Sequence, residues 1–138
     1  MSQYPSKEQI MKTPFKLPAN IVWELLKWKE ANYDKGKWNS SRAVQLIKLQ
    51  ALITSLPLKQ AVIPRIRTYY CYIPETRTIF LDRNNPSILS TLHEIAHHVT
   101  GPDELEACRW SVWLFKQCFP KAFQKLEWKG HMLVKPYV

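Results

Sequence analysis

Two histidines four positions apart enclose a glutamate in His93-Glu94-Ile95-Ala96-His97, within the run from Leu89 to Val99. On an α-helix, side chains at i and i+4 stand one above the other on one face, so two imidazoles can offer nitrogen to the same point. A catalytic zinc takes three protein ligands and leaves its fourth position to water. Bound zinc draws the pKa of that water toward neutrality, and a carboxylate beside the first histidine can take the proton during attack and pass it to the leaving group. His93 and His97 are therefore read as metal ligands, Glu94 as general base and acid, and Zn2+ as the expected cofactor. A chance H-E-x-x-H arises in on the order of one chain in several hundred, so the surroundings must separate a metal site from an amphipathic helix with boundary histidines.

Those surroundings delimit a helix. Asn85-Pro86 offers an N-cap followed by proline at the first helical position, and Gly101 stands where a left-handed C-cap is wanted. Ile88, Leu92, Ile95 and Val99 can face a core, which leaves His93 and His97 together along another side. Gly101-Pro102 then breaks the chain, with proline again expected to open a helix and with Asp103 and Glu104 near its positive end. In a helical hairpin folded at Gly101, residues equally far from the turn lie opposite each other. His97 then faces Leu105 and Glu106, and His93 is level with Arg109. Glu106 is the preferred third ligand. Glu104, which capping and dipole effects explain equally well, and His131 are the alternatives, whereas His98 points away from His97.

The elements that must position this helix precede it. Residues 1–17 are polar and punctuated by Pro5 and Pro14, and are expected to form a partly ordered N-terminal arm outside the core; residues 18–138 form a single domain. Ile21, Val22, Leu25, Leu26 and Trp28 recur at helical spacing after Pro18 and stop before Asp34-Lys35-Gly36. Asn39 or Ser40 can cap a second helix to about Leu56, stopped by Pro57. From Ala61 to Asp82 the residues become β-branched and aromatic. Pro74 to Arg77 divides this stretch as a hairpin turn would, and Pro64 places its first strand at an edge, so a small, mostly antiparallel sheet is expected. Beyond the hairpin, Leu105, Cys108, Val112, Phe115 and Phe119 read as a buried helical stripe rather than a base-stacking surface.

A chain of 138 residues and 16.3 kDa, with 46% hydrophobic residues and 6 Trp, can bury one core and scarcely two. Its 3 cysteines, Cys71, Cys108 and Cys118, are odd in number and form no CxxC pair, which fits reduced thiols in the cytoplasm better than a disulfide framework. No stretch reads as a signal peptide or a membrane span. A formal charge of +9 favours polyanionic or acidic partners, DNA or a DNA-bound protein among them, although the lysines are spread rather than clustered.

With its strand-like Thr78 to Leu81, the helix from Leu89 to Val99 and the segment Glu106-Ala107-Cys108-Arg109-Trp110, the C-terminal half resembles the zincin metallopeptidases of the gluzincin kind. Within them it resembles the ImmA/IrrE family, which follows its HExxH with an E-A-N-x-F-A-like segment; Cys108 stands where that family usually has a polar residue. The resemblance implies an α+β zincin-like fold: N-terminal helices, a small sheet, the HExxH helix and then a helix carrying the third ligand. It further implies a cytosolic zinc endopeptidase, of a kind often carried on phages or mobile elements, that cleaves or antagonises a repressor. His93, His97 and Glu106 match the family's metal positions and Glu94 its catalytic glutamate. The SprT-like proteases, DNA-associated and using a third histidine, are the second resemblance, with His131 as that ligand. In zincins an edge strand pairs with the substrate backbone, and Ile79 to Asp82 or Tyr69 to Ile73 are the candidates. Tyr70, Tyr72, Arg109 and His131 are candidate oxyanion donors. The rival from another class is a basic nucleic-acid- or repressor-binding module with a non-catalytic metal site.

Overall fold

Helix formation begins at Ser6, whose hydroxyl accepts from the Gln9 backbone N–H at 3.2 Å while the Gln9 side chain accepts from the Ser6 N–H at 2.8 Å. This reciprocal capping box satisfies two otherwise unpaired donors and sets off helix α1 (Lys7–Met11). In the computed structural model, which describes residues 5–34, 49, 63–84, 87–129 and 132–134, α1 sinks Ile10 completely. The expectation that this N-terminal stretch stays outside the core therefore fails at Ile10. A polar stretch can be tied in by one apolar anchor and a few hydrogen bonds, and this one is. Trp113 Nε1 donates to the Ile10 carbonyl at 3.0 Å, and the Arg109 guanidinium donates to the carbonyl and hydroxyl of Thr13 and lies 5.2 Å from the Phe15 ring.

Helix α2 (Ala19–Trp28) follows Pro18 and buries Ile21, Leu25 and Trp28, the inward positions of the expected periodicity. A π-helical turn, Lys29–Tyr33, closes it before Asp34. The helix expected from Asn39 or Ser40 to Leu56 lies outside the described residues except Leu49, which is helical and buried.

Strands β1 (Ile63–Arg67), β2 (Cys71–Ile73) and β3 (Thr78–Asp82) form one sheet in the order β1-β3-β2. Pro74 to Arg77 makes the expected hairpin turn, with the Arg77 N–H donating to the Pro74 carbonyl at 3.2 Å, and β2 pairs antiparallel with β3. The sheet is nevertheless mixed rather than mostly antiparallel, because β1 pairs parallel with β3 from Ile63↔Thr78 to Arg67↔Asp82. The direction of that pairing depends on where a non-neighbouring strand docks, which local alternation does not encode. Pro64, which cannot donate to a ladder, lies on an edge strand as expected. Ile79 and Leu81 of β3 are fully buried against the helices.

Helix α3 (Ile88–Thr100) carries the histidine pentad. Its cap is Ser87, whose Oγ accepts from the Ser90 N–H at 3.1 Å; Asn85 and Pro86 lie outside the described residues. Ile88, Leu92 and Ile95 are buried as the sequence pattern requires, with Val99 packed partly against them. Helix α4 (Glu104–Cys118) follows a three-residue link, and its N-cap is Asp103, which accepts from the Leu105 N–H at 3.0 Å. Pro102 thus precedes the helix instead of opening it. Val112, Phe115 and Phe119 are buried as expected, whereas Leu105 and Cys108 of the same stripe are only half-buried; a second stripe of Ala107, Trp110, Ser111, Leu114 and Cys118 is buried too, because α4 has α1 on one side and α2 and α3 on others. Helix α5 (Pro120–Gln124) and an antiparallel hairpin of β4 (Glu127–Lys129) and β5 (Met132–Val134) complete the described chain. Among the described residues no helix is long and apolar enough to cross a membrane.

Gly101 ends α3 at φ 114° and ψ −165°, a region that essentially only glycine occupies, rather than in the left-handed helical conformation expected. A Cβ there meets nothing within 4 Å, so replacement carries a backbone cost alone. Gly101→Ala should lower the unfolding free energy by about 1–3 kcal/mol, measurable by urea denaturation; an unchanged midpoint would show that the link tolerates another conformation.

Candidate metal centre

The i, i+4 spacing on α3 sets the His93 and His97 rings 4.8 Å apart at an interplanar angle of 89°. Their Nε2 atoms converge on one carboxylate oxygen, Glu104 Oε1, at 2.6 Å from His93 and 3.1 Å from His97. The structure thus brings Glu104, not the preferred Glu106, to the pair. The reason is rotational: α4 begins at Glu104, and a residue two positions further on an α-helix is turned by roughly 200°. Glu106 accordingly projects from the exposed side of α4. Counting residues from the turn finds the right level on the facing helix and misses its phase. His131, the third alternative, lies outside the described residues.

The donors suit a metal ion. His97 Nδ1 is 2.9 Å from the Gly101 carbonyl, which can only accept, so Nδ1 carries a proton and Nε2, 3.1 Å from Glu104 Oε1, is the nitrogen that a metal would use. Either a proton or a metal ion between Nε2 and the carboxylate oxygen satisfies both atoms. Two imidazole nitrogens and one carboxylate oxygen, mutually within 4.8 Å, form a group that could hold a metal ion. Donors of a tetrahedral zinc stand roughly 3.3 Å apart, so Glu104 Oε1, 2.6 Å from His93 Nε2, would have to draw back to admit an ion. His93 Nδ1 faces the Cys108 sulfur at 3.9 Å. Burial first, then the Glu104 and Asp103 carboxylates, push the Cys108 thiol up to about 12. It stays protonated at neutral pH, and as a thiol is a poor metal ligand.

Glu94 adjoins the pair without entering it. Burial pushes its carboxyl up to about 7, with the His97 imidazole opposing and the Glu104 carboxylate adding to the rise. Burial likewise holds His93 below its ordinary value, against the pull of Glu104. A cavity of about 560 Å³ opens here, walled by Tyr70, Tyr72, Pro74 and the Gly101-Pro102 link together with His93, Glu94, His97 and Glu104. Of the two candidate substrate strands, Ile79 to Asp82 is ruled out as an edge because β3 is central, whereas β2, from the Tyr69 to Ile73 stretch, is an edge and lines the cavity.

Among the candidate oxyanion donors, Arg109 does not line this cavity and is engaged with Thr13. The Tyr70 hydroxyl accepts from the Ser87 N–H at 2.8 Å and so braces the start of α3. The Tyr72 hydroxyl lies 2.7 Å from His98 Nδ1, and His98 is itself buried. Composition gave no hint of that Tyr72–His98 pair. The one available signal is the doubled histidine, since adjacent helix positions point about 100° apart.

No protein-family model, no curated protein and no solved structure matches this chain.

Two outcomes follow from this geometry. Glu104→Gln should lower zinc affinity at least about tenfold by equilibrium dialysis, because a donor is lost, while Glu106→Gln should leave it unchanged; the reverse pattern would restore Glu106. For Glu94, the metal-free folded chain keeps a proton between pH 4.5 and about 7 that the unfolded chain has released. Its contribution to stability therefore falls as pH rises through that window, whereas the lowered His93 value acts in the opposite sense. With a chelator present, Glu94→Gln should gain on the parent chain in thermal denaturation as pH rises across the window. A constant difference would mean that Glu94 is not a desolvated acid.

Proposed function

We propose that the chain is a zinc-dependent endopeptidase of zincin-like fold, hydrolysing peptide bonds of a cytoplasmic protein, with a DNA-bound regulator or repressor as the substrate class that the ImmA/IrrE resemblance implies. The observation that carries this reading is the meeting of two Nε2 atoms and one carboxylate oxygen on the wall of a cavity that also holds a second, desolvated carboxylate. Zinc held by His93, His97 and Glu104 would supply the positive charge that acidifies water and polarises a carbonyl.

The rest of the chemistry belongs to the chain's own groups. Glu94, with a pKa close to neutrality, takes a proton during attack and returns it to the leaving nitrogen, a role that calls for a carboxylate poised near the working pH. Gly101 holds His97 in the tautomer that leaves Nε2 for the metal. Among the described residues no strand pairs with the outer edge of β2, and an extended peptide laid there would bring a scissile carbonyl past Tyr72 toward the histidines. The Tyr72 hydroxyl, placed by His98, is the better of the two tyrosines for meeting the developing oxyanion, since that of Tyr70 is drawn to the α3 cap.

Glu94 separates this reading from a binding module with an inert metal site. Zinc-loaded protein should cleave an unfolded substrate such as casein, and Glu94→Gln should lower that rate by about 10²- to 10⁴-fold with zinc content and thermal stability at acid pH retained. Cleavage indifferent to Glu94→Gln, or absent in zinc-loaded parent protein across a broad peptide library, would overturn the peptidase assignment.

A further inference from the structure

The side of the sheet turned away from the helices carries a different chemistry. Along β1 the residues alternate, with Ile63, Arg65 and Arg67 exposed and Pro64 and Ile66 turned inward. Strand register sets Arg65 beside Phe80 and Arg67 beside Asp82 on that outer side. Phe80 is flanked twice: the Arg67 guanidinium lies 5.3 Å from its ring centroid, and the Tyr69 ring meets it edge-on at 5.6 Å. Tyr69 itself is 50% exposed, an uncommon position for an aromatic ring that is also packed against a neighbour. Arg83 continues the exposed basic series just beyond β3, where its N–H donates to the Arg67 carbonyl at 3.0 Å.

The arginines are held but not neutralised. Arg65 and Arg67 each donate one N–H to a carbonyl of their own strand, at 2.9 and 2.8 Å, which leaves the remaining donors of each. Among the described residues neither forms an ion pair with a carboxylate. Asp82 is the acidic group on this face, and its Oδ1 is occupied by the Asn84 N–H at 2.9 Å.

We propose that this face, centred on Arg65, Arg67, Tyr69 and Phe80, binds single-stranded nucleic acid. Guanidinium groups match phosphate oxygens, and an exposed ring beside them offers a stacking platform for an unpaired base. A duplex hides its base faces and would leave Tyr69 without a partner; an acidic peptide would satisfy the arginines and likewise make no use of the ring. The +9 charge of the chain adds long-range attraction for a polyanion. This proposal is independent of the peptidase reading, because none of these residues touches the metal group.

The test is fluorescence anisotropy of a labelled oligothymidylate of about 20 nucleotides with the full chain at low salt, repeated across a salt series. Binding should weaken linearly in log–log form with salt, and the oligothymidylate should be preferred to a duplex of equal length. Arg65→Glu with Arg67→Glu should weaken it at least about tenfold, and Tyr69→Ala by roughly 5- to 100-fold, with Tyr69→Phe restoring most of the affinity. Lys121→Glu with Lys125→Glu removes the same charge elsewhere on the surface and should have a smaller effect than the arginine pair. Circular dichroism verifies that each variant is folded. The proposal is overturned by absent binding, by equal affinity for duplex, by displacement with polyglutamate at equal charge, or by losses no larger in the arginine and tyrosine variants than in the lysine control.

Discussion

The carbonyl of Gly101 accepts a hydrogen bond from His97 Nδ1 while the N–H of the same residue donates to the His97 carbonyl, so one peptide segment grips one histidine at both its backbone and its ring. The positive φ of Gly101 opens the three-residue link that separates α3 from α4. Glu104, the first residue of α4, is thereby delivered to the imidazoles. Tautomer, ligand position and helix pairing are thus set by a single backbone conformation. The core then fixes the frame: Leu92, Ile95 and Ala96 of α3 belong to the same buried cluster as Ala107, Trp110 and Leu114 of α4.

Desolvation gives this arrangement its chemical character. Three groups, Glu94, His93 and Cys108, share burial as the largest cause of their displaced acidities, and in each the displacement favours the neutral form. A region that disfavours uncompensated charge, yet contains two carboxylates and two imidazoles, is electrostatically poised to take up a cation. The side chains that could hold an ion are partly exposed, 25% for His93 and 35% for Glu104, so the group is open to solvent.

What could be read from sequence was what local spacing governs. The pentad helix, its inward residues Ile88, Leu92 and Ile95, the turn from Pro74 to Arg77 and the edge position of Pro64 all follow from periodicity or from the chemistry of proline. What could not be read depended on phase or on distant partners. Choosing Glu104 over Glu106 requires knowing at which residue α4 begins, since each added residue rotates a side chain by about 100°. The parallel pairing of β1 with β3, the burial of Ile10 under α4 and the Tyr72–His98 pair each join segments far apart in sequence, and nothing in either partner alone announces the other.

The strand order β1-β3-β2 carries a consequence for how the sheet comes together. The two outer strands are consecutive in sequence, joined by residues 68–70, yet they stand about 10 Å apart, two strand spacings. The four Cα steps between Arg67 and Cys71 reach at most about 14 Å, so the link can just hold them open as a slot. Neither strand has a ladder partner in this sheet until β3 threads between them, and β3 also brings Ile79 and Leu81, the apolar floor on which α3 rests. Assembly is therefore gated by its last-made strand: a nascent chain that has not yet released Asp82 has no sheet, and the histidine helix has no seat.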